Sequence, residues 1–217
     1  MATPLMRDER GFTLVELLVA SVCTIIVLGG AVALTSQIQN GYRRELEDSV
    51  GEQEARYALD WINRYLRSVG NNPFNVTASD CPGTNTIFYG LIMDPNGDGV
   101  DNDITLQSDS NPPDGKIGGT AGACTQANEN VTISYSDTDH AITFLDEAVG
   151  PSATTRTDSV IDGLEFVYLD SNRNVTTVQA DVYYVQTNIT IRTRTLDVSM
   201  GVPTTRTLTS EVRVRSR

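Results

Sequence analysis

"RDERGFTLVELLVAS" (Arg7–Ser21) places charged residues before one glycine, Gly11, and then enters an apolar run whose only charge is Glu16. From Leu17 to Leu34 no residue is charged. That stretch makes roughly 27 Å of helix at 1.5 Å per residue, just enough to cross the hydrocarbon of a bilayer. Arg7 and Arg10 precede it and favour a cytoplasmic N-terminus, a rule in which Asp8 and Glu9 count for little. Three readings fit such a segment. An ordinary secretory signal would be cut at the small-x-small site "AVA" (Ala31–Ala33), although the apolar run before it is long for that role. A plain anchor would leave Glu16 at the cytoplasmic interface. A cut after Gly11 would leave the apolar run as the mature N-terminus.

A carboxylate inside a membrane is costly unless it finds a partner. The third reading supplies one: cleavage after Gly11 creates a positive amine on Phe12, about one helical turn from Glu16. In a stack of staggered subunits, Glu16 of one chain would meet the amine of its neighbour, and the pairing would offset most of its desolvation penalty. Glu16 is then an assembly device.

The helical pattern continues beyond the apolar run. Ile38, Tyr42, Leu46 and Val50 recur every four residues, and Leu59, Ile62, Leu66 and Val69 follow at three- and four-residue steps beside Trp61 and Tyr65. Gly70, with Pro73 shortly after, is a stop signal. The pattern predicts one long helix from about Phe12 to Val69, with Gly41 and Gly51 as the points where a hinge would divide it. Short β-prone runs follow at 86–93, 130–136 and 141–146. "GLEFVYLD" (163–170) is apolar on both faces and reads as a central strand. In the last two runs Tyr183, Val185, Ile189 and Ile191, then Leu208, Val212 and Val214, point inward. Arg192, Arg194, Arg213, Arg215 and Arg217 point outward, and Gly201 and Pro203 turn the chain between the two as an antiparallel pair. The expected fold is α+β, a long N-terminal helix whose distal half is packed by an antiparallel sheet.

"GFTLVELLVA" resembles the type IV prepilin signature. The resemblance implies cleavage between Gly11 and Phe12 by a prepilin peptidase and N-methylation of Phe12. It also implies an assembly role for Glu16. It divides the chain into a leader (1–11), a transmembrane and filament-core half-helix (12–35), an amphipathic half-helix (36–70) and a β-rich periplasmic or extracellular domain (71–217). "GLEFVYLD" and the closing "RTLTSEVRVRSR" resemble the C-terminal part of PilW-like minor pilins and of the related J-type pseudopilins of type II secretion. Such proteins prime or cap filament assembly. The partners implied are other minor pilins and the major pilin, the inner-membrane assembly platform and, at the tip, an adhesin. The implied location is the bacterial inner membrane before assembly and a cell-surface pilus after it.

Composition sets limits on everything else. The chain has 217 residues and a net charge of −12, and Lys116 is its one lysine. Nucleic acid is a poor partner for such a surface, because phosphate neutralisation needs basic residues. No GxSxG, P-loop, HExxH or CxxC motif occurs, so the expected function is not enzymatic; His140 in "SDTDHA" reads as a hairpin-turn residue. The acidity is concentrated in one region holding Asp94, Asp98, Asp101, Asp103, Asp109 and Asp114. Within it, "DPNGDGVDND" (94–103) has the opening spacing of an EF-hand loop. Asp94, Asn96 and Asp98, with the Val100 carbonyl, Asp101 and Asp103, are a candidate calcium set. Thr105 stands where an EF-hand has its bidentate glutamate, and a solvated acidic turn is the competing reading. Cys81 and Cys124 lie in the polar body, and a disulfide between them fits an exported chain. It would contribute roughly 4 kcal/mol by loop closure.

Overall fold

The computed structural model describes residues 13–75, 77, 87–110, 113–118, 126–196 and 203–214, with the side chains of 193–196 and 203 left aside. The leader junction Gly11–Phe12 and both Cys81 and Cys124 lie outside the described residues. The chain divides into two compact units, Met1–Leu46 and Glu47–Arg217. The expected long helix is present as α1, Leu14–Ser68. Neither Gly41 nor Gly51 interrupts it. Gly51 instead lies against Ile191, whose Cδ1 would be 3.7 Å from an added Cβ.

In the first unit every residue from Thr13 to Leu46 is exposed. The apolar side chains from Leu14 to Leu34 point in all directions around the helix and are uncovered. A helix that is hydrophobic all round needs lipid or protein about it. It is long and apolar enough to cross a membrane. The first part of the predicted stripe, Ile38, Tyr42 and Leu46, is likewise exposed.

In the second unit α1 buries Ala55, Ala58, Leu59, Trp61, Ile62 and Leu66. The alanines have little bulk between helix and sheet, and the larger side chains at helical spacing enter the core. Two antiparallel sheets complete the unit, where the sequence suggested one. The first runs in order β1 (Leu91–Met93), β2 (Asp103–Gln107), β3 (Asn130–Ser136), β4 (Ala141–Asp146) and β5 (Thr154–Thr155). The second runs β6 (Ile161–Leu169), β7 (Tyr184–Leu196) and β8 (Pro203–Arg213). Ile104, Ile133, Ile142, Phe166, Val185 and Ile189 join the helix residues in one core. Full burial of side chains of this size is worth about 1.5–3 kcal/mol each.

Two expectations need correction. β6 is an edge strand, with β7 in the centre. Its apolar outer face misled, because Leu169 is covered near a bridge to Val175. The Phe166 N–H donates to the Asp101 carbonyl at 2.7 Å, so a loop rather than a strand closes this edge. The second correction is β2: Asp103, placed in the candidate calcium loop, opens a strand in which Asp103, Thr105 and Gln107 alternate with Ile104 and Leu106. All five residues are buried. The helix end is fastened to this strand: the Gly70 N–H donates to the Gln107 carbonyl at 3.1 Å. Gly70 adopts φ +73° there and Gly90 packs against it at φ +74°, a conformation that suits glycine.

Candidate functional site

The first candidate is the start of α1. Thr13 is its N-cap: the Glu16 N–H donates to Thr13 Oγ1 at 3.3 Å, and the Leu17 N–H to the Thr13 carbonyl at 3.2 Å. Glu16 therefore occupies the third helical position, where a carboxylate interacts favourably with the helix dipole. The T-x-x-E spacing "TLVE" carried this signal, and sequence reasoning passed over it. Further along, the hydroxyls of Ser21, Thr24 and Thr35 donate to the carbonyls of Leu18, Ala20 and Ala31 at 2.7–2.8 Å. Each of these three hydroxyls is thus satisfied within its own turn, as an apolar medium requires. Cys23 is exposed on the same surface.

These features coincide with one match to known proteins. Residues 6–32 match the family model for the prokaryotic N-terminal methylation motif. The helix start carries that motif. No curated protein and no solved structure matches the chain. The methylation motif, with one long apolar helix followed by antiparallel sheets, supports a type IV pilin-like or pseudopilin protein. It fits a structural protein anchored in the inner membrane.

The second candidate is the 94–103 loop. Asp94 Oδ1 accepts from the Gly97 and Asp98 amides at 2.9 and 3.1 Å, and Asp94 Oδ2 from the Gly99 amide at 2.9 Å. Asn96 Oδ1 accepts from the Asp98 amide and Asp98 Oδ1 from the Val100 amide. Gly97 and Gly99, at φ +73° and +78°, provide the curl. Asp94, Asn96 and Asp98 are therefore brought together. The Val100 carbonyl accepts from the Asn102 amide, and Asp103 sits on β2 with Oδ2 accepting from the Asn96 amide at 3.3 Å. Among the described residues no group of three or more His, Cys, Asp or Glu is arranged to hold a metal. Asp94 Oδ1 uses both lone pairs on the Gly97 and Asp98 amides, whereas Asp94 Oδ2, Asn96 Oδ1 and Asp98 Oδ1 each accept one of these bonds and keep a second lone pair for a cation.

Burial pushes the Asp103 carboxyl up to about 6, with Asp94, Asp98 and Asp101 adding to the shift. Burial, then Asp94 and Glu165, raises Asp101. Tyr168, on β6, is raised by burial and by the same aspartates, and its hydroxyl has no partner among the described residues. If the loop takes calcium, the purified chain in detergent should melt higher in calcium than in chelator. The gain is about 2.7 kcal/mol at a hundredfold excess over Kd. Identical melting in the two buffers would show that the amides alone hold the loop.

The arginine face is partly neutralised at home. Arg192 pairs with Asp162 at 2.5 Å and Arg206 with Glu52 at 2.6 Å. The Arg56 hydrogen bond to Glu52, followed by the charges of Arg206 and Arg56, holds the Glu52 carboxyl below its usual range. His140 is an exposed turn residue between β3 and β4 at φ +50°, as its sequence context suggested.

Proposed function

We propose that this chain is a minor pilin, a subunit that primes or caps a type IV pilus. It is cut between Gly11 and Phe12 by a prepilin peptidase and methylated on Phe12. The supporting observation is the methylation motif over residues 6–32, which runs onto a helix whose surface carries no charge from Leu17 to Leu34. Such a surface serves twice: as a single membrane span before assembly, and as a packing face among neighbouring helices afterwards. The partners on this reading are other minor pilins, the major pilin, the assembly platform and a tip adhesin. The same motif supports the J-type pseudopilin of type II secretion, which differs in the machine joined. Co-purification separates the two, since pilus subunits and secretion-system subunits are different proteins.

The decisive measurement is the mass of the mature N-terminal peptide. It should begin at methylated Phe12, and Gly11→Val should leave the uncut precursor in the membrane. A mature chain beginning at Leu34 would establish ordinary secretory cleavage instead and overturn the proposal.

A further inference from the structure

Three rings meet beside the last turns of α1. Trp61 stands edge-to-face to Tyr65 at 6.3 Å between centroids and to Phe144 of β4 at 6.0 Å, and Tyr65 is tilted against Phe144 at 5.2 Å. Tyr57 lies one turn before Trp61 on the same side of the helix. It is 56% exposed and makes no ring contact among the described residues. These four residues line one open pocket of about 330 Å³. That is the small end of the range for sites that hold a small molecule, roughly 300–1,000 Å³. Aromatic pairs favour centroids about 4.5–7 Å apart, and a ring in the pocket gives Tyr57 the neighbour it lacks.

The charged residues among the described lining are two arginines, Arg64 and Arg156. In a chain of net charge −12 they reverse the local sign. Both are exposed, so a ligand reaches their guanidinium groups. Arg156 lies over the Phe144 ring at 4.6 Å from its centroid, and no carboxylate pairs with it among the described residues. A guanidinium resting on a ring is oriented in advance, with its in-plane N–H donors left for an acceptor. Arg64 reaches Asp60 at 3.2 Å, an exposed pair of a kind worth little, so it exchanges readily for another carboxylate. Asn128 also lines the pocket and is exposed. Its Oδ1 accepts from the Tyr65 hydroxyl at 2.6 Å, and its two Nδ2 protons make no hydrogen bond among the described residues. Burial pushes the Tyr65 hydroxyl up; Arg156 and Arg64 act against that rise and Asp146 with it, so both guanidiniums are felt inside the pocket.

We propose that this pocket binds a small planar aromatic carboxylate, its ring beside Tyr57 and the Trp61–Tyr65–Phe144 cluster and its carboxylate toward Arg156 and Arg64. A neutral ring would leave both guanidiniums unused, and a cationic one would be repelled. A long anionic polymer would meet the acidic surface of the rest of the chain, whereas a monoanion of this size stays within the basic spot.

Trp61 is the chain's only tryptophan, so its indole N–H gives one cross-peak in a nitrogen–proton correlation spectrum. The full chain in detergent is titrated with indoleacetate, indoleacetamide and tryptamine, with free ligand fixed by dialysis. The three share a ring and differ in charge. Indoleacetate should move the Trp61 peak saturably and bind about tenfold or more tighter than indoleacetamide, with tryptamine weakest. Replacing both exposed cations, Arg156→Gln with Arg64→Gln, should bring indoleacetate down to the affinity of indoleacetamide. Tyr57→Ala should weaken the acid and the amide alike. Unchanged melting of these surface variants separates a lost contact from a lost fold; if Arg156→Gln melts lower, Arg64→Gln alone should still narrow the preference for the acid. Three results overturn the proposal: no saturable movement with indoleacetate, equal affinity for acid and amide, or a preference for the acid that survives loss of both arginines. Tighter binding of an aspartyl-phenylalanine dipeptide blocked at both ends also overturns it, because the pocket would then belong to a segment of a neighbouring protein.

Discussion

Phe166→Ala is expected to lower the stability of the Glu47–Arg217 unit by about 3–5 kcal/mol, the usual cost of truncating a fully buried phenylalanine. Phe166 has no exposed surface and belongs to the same core as Ile62 and Leu66 of α1. A small-to-medium domain has only about 5–15 kcal/mol of net stability, so this one change removes a large share of it. The reporter is built in. Trp61, the chain's only tryptophan, is 7% exposed and meets Phe144 edge-to-face at 6.0 Å between centroids. Denaturant titrations followed by its fluorescence should show the midpoint shift. The adjacent Val167→Ala, on the other face of β6, should shift it by about 1 kcal/mol or less. A Phe166→Ala midpoint close to wild type would mean that this core position is not packed as described.

Glu16→Val is the second large effect. On the proposed filament role, the variant should be cut, methylated and inserted normally, because its span becomes more apolar. It should then fail to join other subunits. Removing one partner of a buried ion pair costs about 3–5 kcal/mol, roughly a hundredfold or more in association. Valine leaves the Phe12 amine of the neighbour without its carboxylate. The measurement is the share of the chain recovered in sheared filaments relative to the membrane fraction. Incorporation at the wild-type level would assign Glu16 to the helix start alone, as the third-position partner of the Thr13 cap.

How much of this was legible in sequence follows from the range of the interactions involved. The helix was readable because its signals are local: uncharged residues from Leu17 to Leu34, a stripe through Leu59, Ile62 and Leu66, and a stop at Gly70. β3 and β4 were readable as short β-prone runs, and β7 and β8 from alternation. β2 was not, since Asp103, Thr105 and Gln107 have loop chemistry and become strand residues only by pairing with Ser134, Thr132 and Asn130. β6 pairs on one side with β7, and its other edge meets a loop through the Asp101 carbonyl taking the Phe166 amide. Nothing in "GLEFVYLD" encodes that. The curl of the 94–103 loop lies at the other extreme, because alternate Asp and Asn with Gly97 and Gly99 specify it within ten residues.

The inward-turned hydroxyls of Ser21, Thr24 and Thr35 bear on how this helix changes surroundings. A polar group bonded to its own backbone asks nothing of its environment. The face presented to the outside is hydrocarbon, whether the neighbour is an acyl chain or another helix. A change of medium therefore breaks none of these three hydrogen bonds. On the proposed role, these hydroxyls therefore add no cost to a move from bilayer to filament, and Glu16 is the one charged group of the run whose surroundings decide the balance.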